Sequence, residues 1–383
     1  MSFADHLEAV GRFTDEVLIP TEPDMVRQGR VPEPVVRQMA ELGLFGLSVP
    51  RAYGGLGWTM EQQVRLTLEF TRASCVYRSR FSTTIGLTAQ VLLEHGTETQ
   101  RRTLLPPLAA GEWTAAFALT EEGAGSDASS IRTRAVPCGD GYTITGRKRY
   151  ITNGASADVL MVFAQVEGAG PTTFLVDAHA PGVERRPADR MNGHAENPVA
   201  HITFDGVRVA GDRIVGAPGD GLTLALRGIN HARTHVAATA VGQGTRFLKE
   251  MTAHAMRRVQ FGSRLADLGS VEAMLGTSYA DMSAARALTL ACARDWDRQR
   301  VVHQQISAAK YFATEAGGRV APRAVQILGG EGIVGDHPVP RMWRDVRALR
   351  IYEGASEVHE RNMARYLKSL ADSGSPIWPG QPQ

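Results

Sequence analysis

The chain has 383 residues, 43% of them hydrophobic and 21% charged, enough to bury a sizeable core in two or three domains and ordinary for a globular enzyme. Its 42 basic and 40 acidic residues leave a formal charge of +2, which provides no electrostatic footprint for nucleic acid or a membrane surface. Cys75, Cys138 and Cys292 are odd in number and far apart, which argues against a disulfide framework or a Cys-x-x-Cys metal site and fits a reducing cytoplasm. The first residues, Met1 to His6, lack a basic segment followed by an apolar run, and no 18-residue apolar stretch occurs later, so a soluble, unexported protein is expected.

Residues 2–18 place Phe3, Leu7, Val10 and Val17 on one helical face, with Pro20 as the expected stop. A second helix is predicted from Pro32 to Leu42, closed by Gly43, followed by a Gly-rich turn through Tyr53 to Gly57. Helical periodicity resumes over Gln62–Ala73 and Ile85–His95, so residues 1–112 read as an all-helical domain. The pattern then shortens. Trp113–Thr120 is an apolar run, Tyr142–Thr145 alternates after Gly139-Asp140-Gly141, and Val159–Val166 and Thr173–Val176 are strand-like. His201–Phe204 faces Val207–Val209 across Asp205-Gly206, the spacing of a tight hairpin. Short strands, close turns and no helices between them predict an antiparallel barrel or sandwich over 113–217.

From Gly221 the helical period returns. One face carries Val236, Ala240, Gly244, Phe247 and Met251, a second helix is marked by Val271, Met274, Met282 and Leu288, and a third by Ile306, Ala309 and Ala313. Residues 218–383 are therefore expected to form a four-helix-type bundle with a disordered tail from about Ser373. The fold class that follows is α+β multidomain: helical, β, helical.

Several short motifs stand in this frame. Gly123-Ala124-Gly125-Ser126-Asp127-Ala128 fits G-x-G-x-x-A, but no helix or parallel βαβ unit follows, so a Rossmann site is rejected; the glycines still let backbone N–H groups approach a planar or anionic ligand. His231 and His235 have the i, i+4 spacing of a metal face without a third ligand, so a structural or substrate-side role is expected and no metal. Ser307-x-x-Lys310 lies in a helical stripe without the companions of acyl-enzyme chemistry. Arg257–Gly262 ends a long helix, and Gln326–Gly332 can be read as a glycine-capped helix stop. Finally, Glu353 sits between Ile351-Tyr352 and Gly354-Ala355-Ser356, where apolar bulk and short residues can keep a carboxylate partly dry and raise its pKa toward that of a general base; the spacing alone fits a solvated acidic residue in a loop equally.

Taken together, Phe117–Asp127, Tyr150-Ile151-Thr152-Asn153, Arg258–Gly262, Gln326–Gly330 and Arg344-Asp345 leading to Ile351–Gly354 give the chain a resemblance to the acyl-CoA dehydrogenases over nearly its whole length. The resemblance implies FAD held between the β domain and the C-terminal bundle, with a neighbouring subunit completing the site. Phe117, Leu119, Thr120, Gly125, Ser126, Tyr150, Ile151 and Thr152 fall on positions lining the flavin. Arg258, Gln260, Phe261, Gln326, Gly329 and Gly330 fall on positions reaching the adenosine diphosphate half of a partner's FAD, and Ala355 and Glu357 on further cofactor positions.

By the same resemblance Glu353 is the catalytic base, removing the α-proton of an acyl thioester while the β-hydrogen leaves as hydride to flavin N5 and a trans-2-enoyl thioester forms. Ser126, Asn230, Arg233, Tyr352 and Gly354 fall on substrate-side positions. The family implies an electron-transfer flavoprotein as acceptor, a homotetramer built as a dimer of dimers, and a place in fatty-acid metabolism. The chain departs from its relatives at Asn230, where many carry an acid, at Tyr150 in place of a Trp, and at Ala355 in place of a Thr hydroxyl. These departures keep acyl carrier protein open as a handle beside CoA, and an O2-using flavin oxidase or monooxygenase as the alternative activity; a flavin-free scaffolding protein is the reading of another class.

Overall fold

The first helix, α1 (Phe3–Phe13), begins where Ser2 and Asp5 cap one another, each side chain accepting the other's backbone N–H. It opens a computed structural model that describes residues 2–188, 191–300, 303–334 and 336–377. The chain divides into two compact units, Met1–Ala232 and Arg233–Gln383. Pro20 does not stop the first helical segment. A π-helical turn over Thr14–Leu18 shifts the hydrogen-bond register, Ile19 N–H reaching Thr14 O, and α2 (Ile19–Gln28) begins there with Pro20 in its first turn, where a missing N–H costs little.

Five further helices follow: α3 (Glu33–Glu41), α4 (Met60–Phe70), α5 (Cys75–Thr83), α6 (Ala89–His95) and α7 (Glu98–Ala110). A second π-helical turn, Thr84–Thr88, joins α5 to α6. Val10, Met39, Phe45, Phe70, Tyr77 and Phe81 are buried together beneath them.

The β region holds β1 (Ala115–Ala118), β2 (Arg134–Cys138), β3 (Gly141–Ile151), β4 (Val159–Val166), β5 (Gly170–Asp177), β6 (Val183–Pro187), β7 (Ala200–Ala210) and β8 (Ile214–Val215). They form one sheet in the order β6-β7-β3-β2-β4-β5-β8, with β1 added on β4. Most pairs are antiparallel, but β1–β4 and β2–β4 are parallel, pairings that no local turn signal announces. Every residue of β4 but Gln165 is buried, which explains its continuous apolar run.

The hairpin expected at Asp205-Gly206 is absent. Residues 200–210 are a single strand that pairs with β3 on both sides of the Asp-Gly pair, Phe204 opposite Gly146 and Val207 opposite Ile144, so the two residues form a bulge with Gly206 at φ +65°.

Helix α8 (Gly221–Arg257) leads from the first unit into the second. A hairpin of β9 (Val259–Gln260) and β10 (Ser263–Arg264) follows, then α9 (Gly269–Asp297), α10 (His303–Leu328), α11 (Pro338–Leu349) and α12 (Ser356–Ser373). Within the second unit α10 packs against α9, α11 and α12, burying Ile306, Ala309, Ala313, Val320 and Ala324. A Cβ on Gly244 of α8 would lie 2.2 Å from Met282 Sδ of α9, so the glycine permits that close approach. Helix α12 runs through Ser373 to a left-handed Gly374 cap, later than the expected start of the tail, and residues 378–383 lie outside the described residues. Among the described residues no helix is long and apolar enough to cross a membrane.

Candidate active site

In the first unit, β1 delivers Phe117 and the following Leu119 to buried positions, with Thr120 half-buried beyond them. The chain then doubles back, Glu121 and Ala124 exchanging backbone hydrogen bonds at 3.1 and 3.2 Å, and leaves Gly125 and Ser126 exposed. A Cβ on Gly125 would meet no atom within 4 Å, so a ligand can approach this backbone closely. Only a short 3₁₀ turn, Ala128–Ser130, follows the glycines, in keeping with the rejection of a Rossmann site.

This loop is anchored by a charge pair that sequence reasoning missed. The Glu121 carboxylate accepts from Arg132 N–H at 2.6 Å, Thr133 N–H at 3.0 Å and Lys148 Nζ at 2.7 Å. Lys148 Nζ also donates to Leu119 O at 3.0 Å and Phe163 O at 2.6 Å, so all three of its protons have acceptors. Burial pushes Lys148 down to about 8 against the pull of Glu121. Burial alone would raise Glu121, but Lys148 and the N–H donors outweigh it and hold the carboxyl below its usual range. The available signal was strand parity: Lys148 is four residues from inward-facing Ile144 on β3.

Arg149 N–H bonds Thr120 O at 2.8 Å, bringing the Thr120 and Tyr150 motifs side by side. The β3 register slips between Lys148 and Ile151, and Tyr150 takes φ +59° with its ring exposed against His201. Ile151 is buried and Thr152 half-buried. Asn153, also left-handed, is fixed by Ser79 O at 3.0 Å and by Asn197 Nδ2 at 3.1 Å. On α8, burial and Arg78 push His231 down to about 3, so the ring is neutral, and Asn230 beside it is buried. Among the described residues no group of three or more His, Cys, Asp or Glu side chains is placed to hold a metal ion.

In the second unit Glu353 lies in the turn that joins α11 to α12. Ile351 and Tyr352 N–H groups close on Ala348 O, and Ser356 N–H closes on Arg350 O at 3.1 Å. Between these closures Glu353 takes φ +54° and Gly354 φ +98°. For a non-glycine residue the left-handed region costs roughly 1–2 kcal/mol, so the surroundings must impose it. They do so through the carbonyls: Arg233 Nε donates to Glu353 O at 2.8 Å, and Lys310 Nζ donates to Gly354 O at 2.7 Å. Both cations are buried, and burial is what lowers the Arg233 pKa, with Glu353 acting in the opposite sense.

The Ile-Tyr pair does not supply the dry wall expected of it within this unit: Ile351 and Tyr352 are 58% and 38% exposed, and the charges acting with Glu353 are those of Arg233 and Lys310. Lys310 was missed as part of this turn because the helix stripe explained it fully. A Cβ on Gly354 would lie 3.0 Å from His359 Nε2 and 3.1 Å from Arg233 Nη2, so the glycine is required twice over, by space and by φ.

The remaining residues of the second unit gather at the end of α8. Arg258 and Gln260 are exposed, and Phe261 (φ +53°) with Gly262 (φ +78°) forms the two-residue turn of the β9–β10 hairpin, the Phe261 ring 96% exposed. His254 of α8 lies 3.4 Å from Glu331, which places the Gly329–Gly332 turn at the same end. Gln326, Gly329 and Gly330 are exposed there, and a Cβ on either glycine would touch nothing. Ala355 is the uncapped N-cap of α12, with Glu357 exposed in its first turn.

Three domain families match the chain in order: the acyl-CoA dehydrogenase N-terminal domain over residues 5–112, the middle domain over 116–207 and the C-terminal domain over 219–368. A 3-(aryl)acrylate reductase of Clostridium sporogenes is 34% identical over 93% of this chain and 95% of its own length. The human mitochondrial very long-chain specific acyl-CoA dehydrogenase is 33% identical over 97% of this chain, which spans 58% of that longer protein. Among solved structures, a Mycobacterium smegmatis glutaryl-CoA dehydrogenase in complex with FADH2 superposes with a TM-score of 0.92 at 26% identity, covering 96% of this chain and 94% of the other.

Proposed function

The chain belongs to the acyl-CoA dehydrogenase family, oxidoreductases of the CH–CH group, and on that premise we propose that it dehydrogenates an acyl thioester between its α and β carbons with Glu353 as the base. The observation that carries this reading is the Glu353 turn: an acidic residue held in the left-handed region by two buried cations bonded to consecutive carbonyls, at 2.8 and 2.7 Å. Strain maintained by buried charge is an arrangement that a passive loop does not need.

The residues present fit FAD. In the first unit the exposed Tyr150 ring offers aromatic surface on the strand that Arg149 N–H joins to half-buried Thr120, and Gly125 leaves the backbone approachable. In the second, exposed Arg258, Gln260 and Gln326 with open Gly329 and Gly330 are a donor set suited to a pyrophosphate. FAD supplies, when bound, the acceptor for the β-hydride. The chain's own part is the proton: the Glu353 carboxylate takes it from the α-carbon as the β-hydrogen leaves with its electron pair, and the α,β bond becomes that of the trans-2-enoyl thioester.

Ser126, Asn230, Arg233, Tyr352 and Gly354 are the substrate-side positions of this proposal, with CoA and acyl carrier protein as the handles to compare. The division of the chain at residues 112 and 217, a cytoplasmic location, an electron-transfer flavoprotein as acceptor and a homotetramer belong to the same reading. Exposed apolar Val259, Phe261, Ile333 and Val334 at one end of the second unit support a subunit contact there. The O2-using oxidase or monooxygenase alternative is not favoured by the family match.

The test is Glu353→Gln, mixed anaerobically with acyl thioesters of varied chain length on both handles while flavin absorbance is followed. Loss of rapid bleaching, with FAD and thioester still bound, is expected. Bleaching as fast as in the wild type would remove Glu353 from the role of base.

A further inference from the structure

Lys310 is a fully buried ammonium on a helix face whose other buried residues are uncharged, Ile306, Ala309 and Ala313 beside the hydroxyls of Ser307 and Thr314. A charge in such a place persists only where its partners are arranged for it. Its ammonium donates at 2.7 Å to Gly354 O, the carbonyl next to that of Glu353. The other charged and titratable groups that act on it are Glu353 and Glu315, which favour the ammonium, and Arg233 and Arg350, which oppose it. His359 of α12, fully buried and pushed down to about 3 by burial, is neutral and lies against the Glu353 and Gly354 backbone.

Two planar peptides meet at Gly354. Arg233 holds the carbonyl of the first and Lys310 that of the second, so the torsions of the most permissive joint in the turn are fixed from both sides. We propose that Lys310 is a positioning residue for proton transfer, an ammonium latch on Gly354 O that keeps the Glu353–Gly354 turn left-handed and so fixes the aim of the Glu353 carboxylate. The inference rests on Glu353 being the base. A charged donor bonds a carbonyl roughly twice as strongly as a neutral one, so the latch weakens when the lysine loses its proton. Burial brings Lys310 down to about 7, so that loss falls near neutral pH.

The experiment uses the full-length FAD-loaded enzyme as wild type, Lys310→Met, Lys310→Arg and Glu353→Gln. Anaerobic flavin reduction by an acyl thioester is followed from about pH 6 to about pH 9, with amide hydrogen exchange over residues 350–358 as a readout independent of the flavin. Lys310→Met is expected to reduce flavin roughly 10–100-fold more slowly with KM changed less than about 2-fold, because misaim affects the chemical step rather than binding. It is also expected to exchange faster over 350–358 and to lack the fall in rate expected of the wild type as pH rises through about 7. Lys310→Arg, charged throughout this range, is expected to restore rate and exchange and to lack that falling limb.

A wild-type rate, pH profile and exchange pattern in Lys310→Met would overturn the latch. Should that variant fail to fold, a falling limb retained unchanged in Lys310→Arg overturns it instead. Glu353→Gln separates the two levels: if it is inert while Lys310→Met is normal, only the latch is lost, and if it reduces flavin normally, the base assignment falls as well.

Discussion

Lys148 Nζ lies 2.7 Å from Glu121 Oε1, with the two side chains 0% and 8% exposed, and this pair ties the Thr120–Ser126 loop to β3, to β4 and to the residues that lead into β2. Removing one partner strands the other charge in the interior, so Glu121→Gln is expected to cost about 3–5 kcal/mol in denaturant titration at neutral pH. Glu121 titrates below its ordinary 4.5 in the folded chain, so its contribution is complete above that value and is lost as pH falls through the lower folded value. The variant should therefore lose part of the acid-side slope of stability, and an unchanged slope would refute the assignment.

Gly354→Ala places a Cβ 3.0 Å from His359 Nε2 at a φ of +98°. A cost of about 1–3 kcal/mol is expected, with flavin reduction slowed and FAD still bound, because the strain is confined to the turn. Absorbance of the purified variant and its stopped-flow rate check both parts.

Ala355→Thr adds a hydroxyl where α12 has no side-chain cap. Its backbone, at φ −61° and ψ 156°, already has the extended conformation of a capping residue, so a gain of about 0.5–2 kcal/mol is expected from denaturant unfolding. Slower loss of FAD on dilution would show in addition that the hydroxyl reaches the cofactor.

Thiol labelling should distinguish the three cysteines. Burial pushes Cys292 up to about 12, Cys75 is buried, and Cys138 is half-buried at the end of β2. One fast-reacting thiol, Cys138, is expected at mildly alkaline pH by mass spectrometry, with Cys292 reacting only after unfolding.

Phe261→Gly removes an exposed ring and relieves a left-handed non-glycine residue. The isolated fold should be no less stable, while FAD retention and apparent mass in gel filtration fall. Unchanged mass and FAD content would remove the hairpin from both roles.

The strand Val159–Val166 is legible to the residue because a strand buried on both faces is a near-continuous apolar run, here broken only at half-buried Gln165. Asp205-Gly206 was misread because a bulge and a two-residue hairpin use the same left-handed glycine; only the partner strand β3, pairing on both sides, distinguishes them. Pro20 was misread for a related reason, since a π-helical turn leaves no composition signal and yet changes which N–H groups a helix needs.

By itself the sequence determined the helical–β–helical order, the family and the identity of Glu353 as the acidic residue of interest, because hydrophobic period, turn chemistry and ordered motifs are local properties of the chain. The tertiary structure decided what surrounds Glu353 in its unit. Arg233 and Lys310 lie 120 and 44 residues from the carbonyls they hold, and Lys148 lies 27 residues from Glu121. A buried cation has no pattern of its own in one dimension; it becomes recognisable only when folding removes water from it and sets an acceptor within reach.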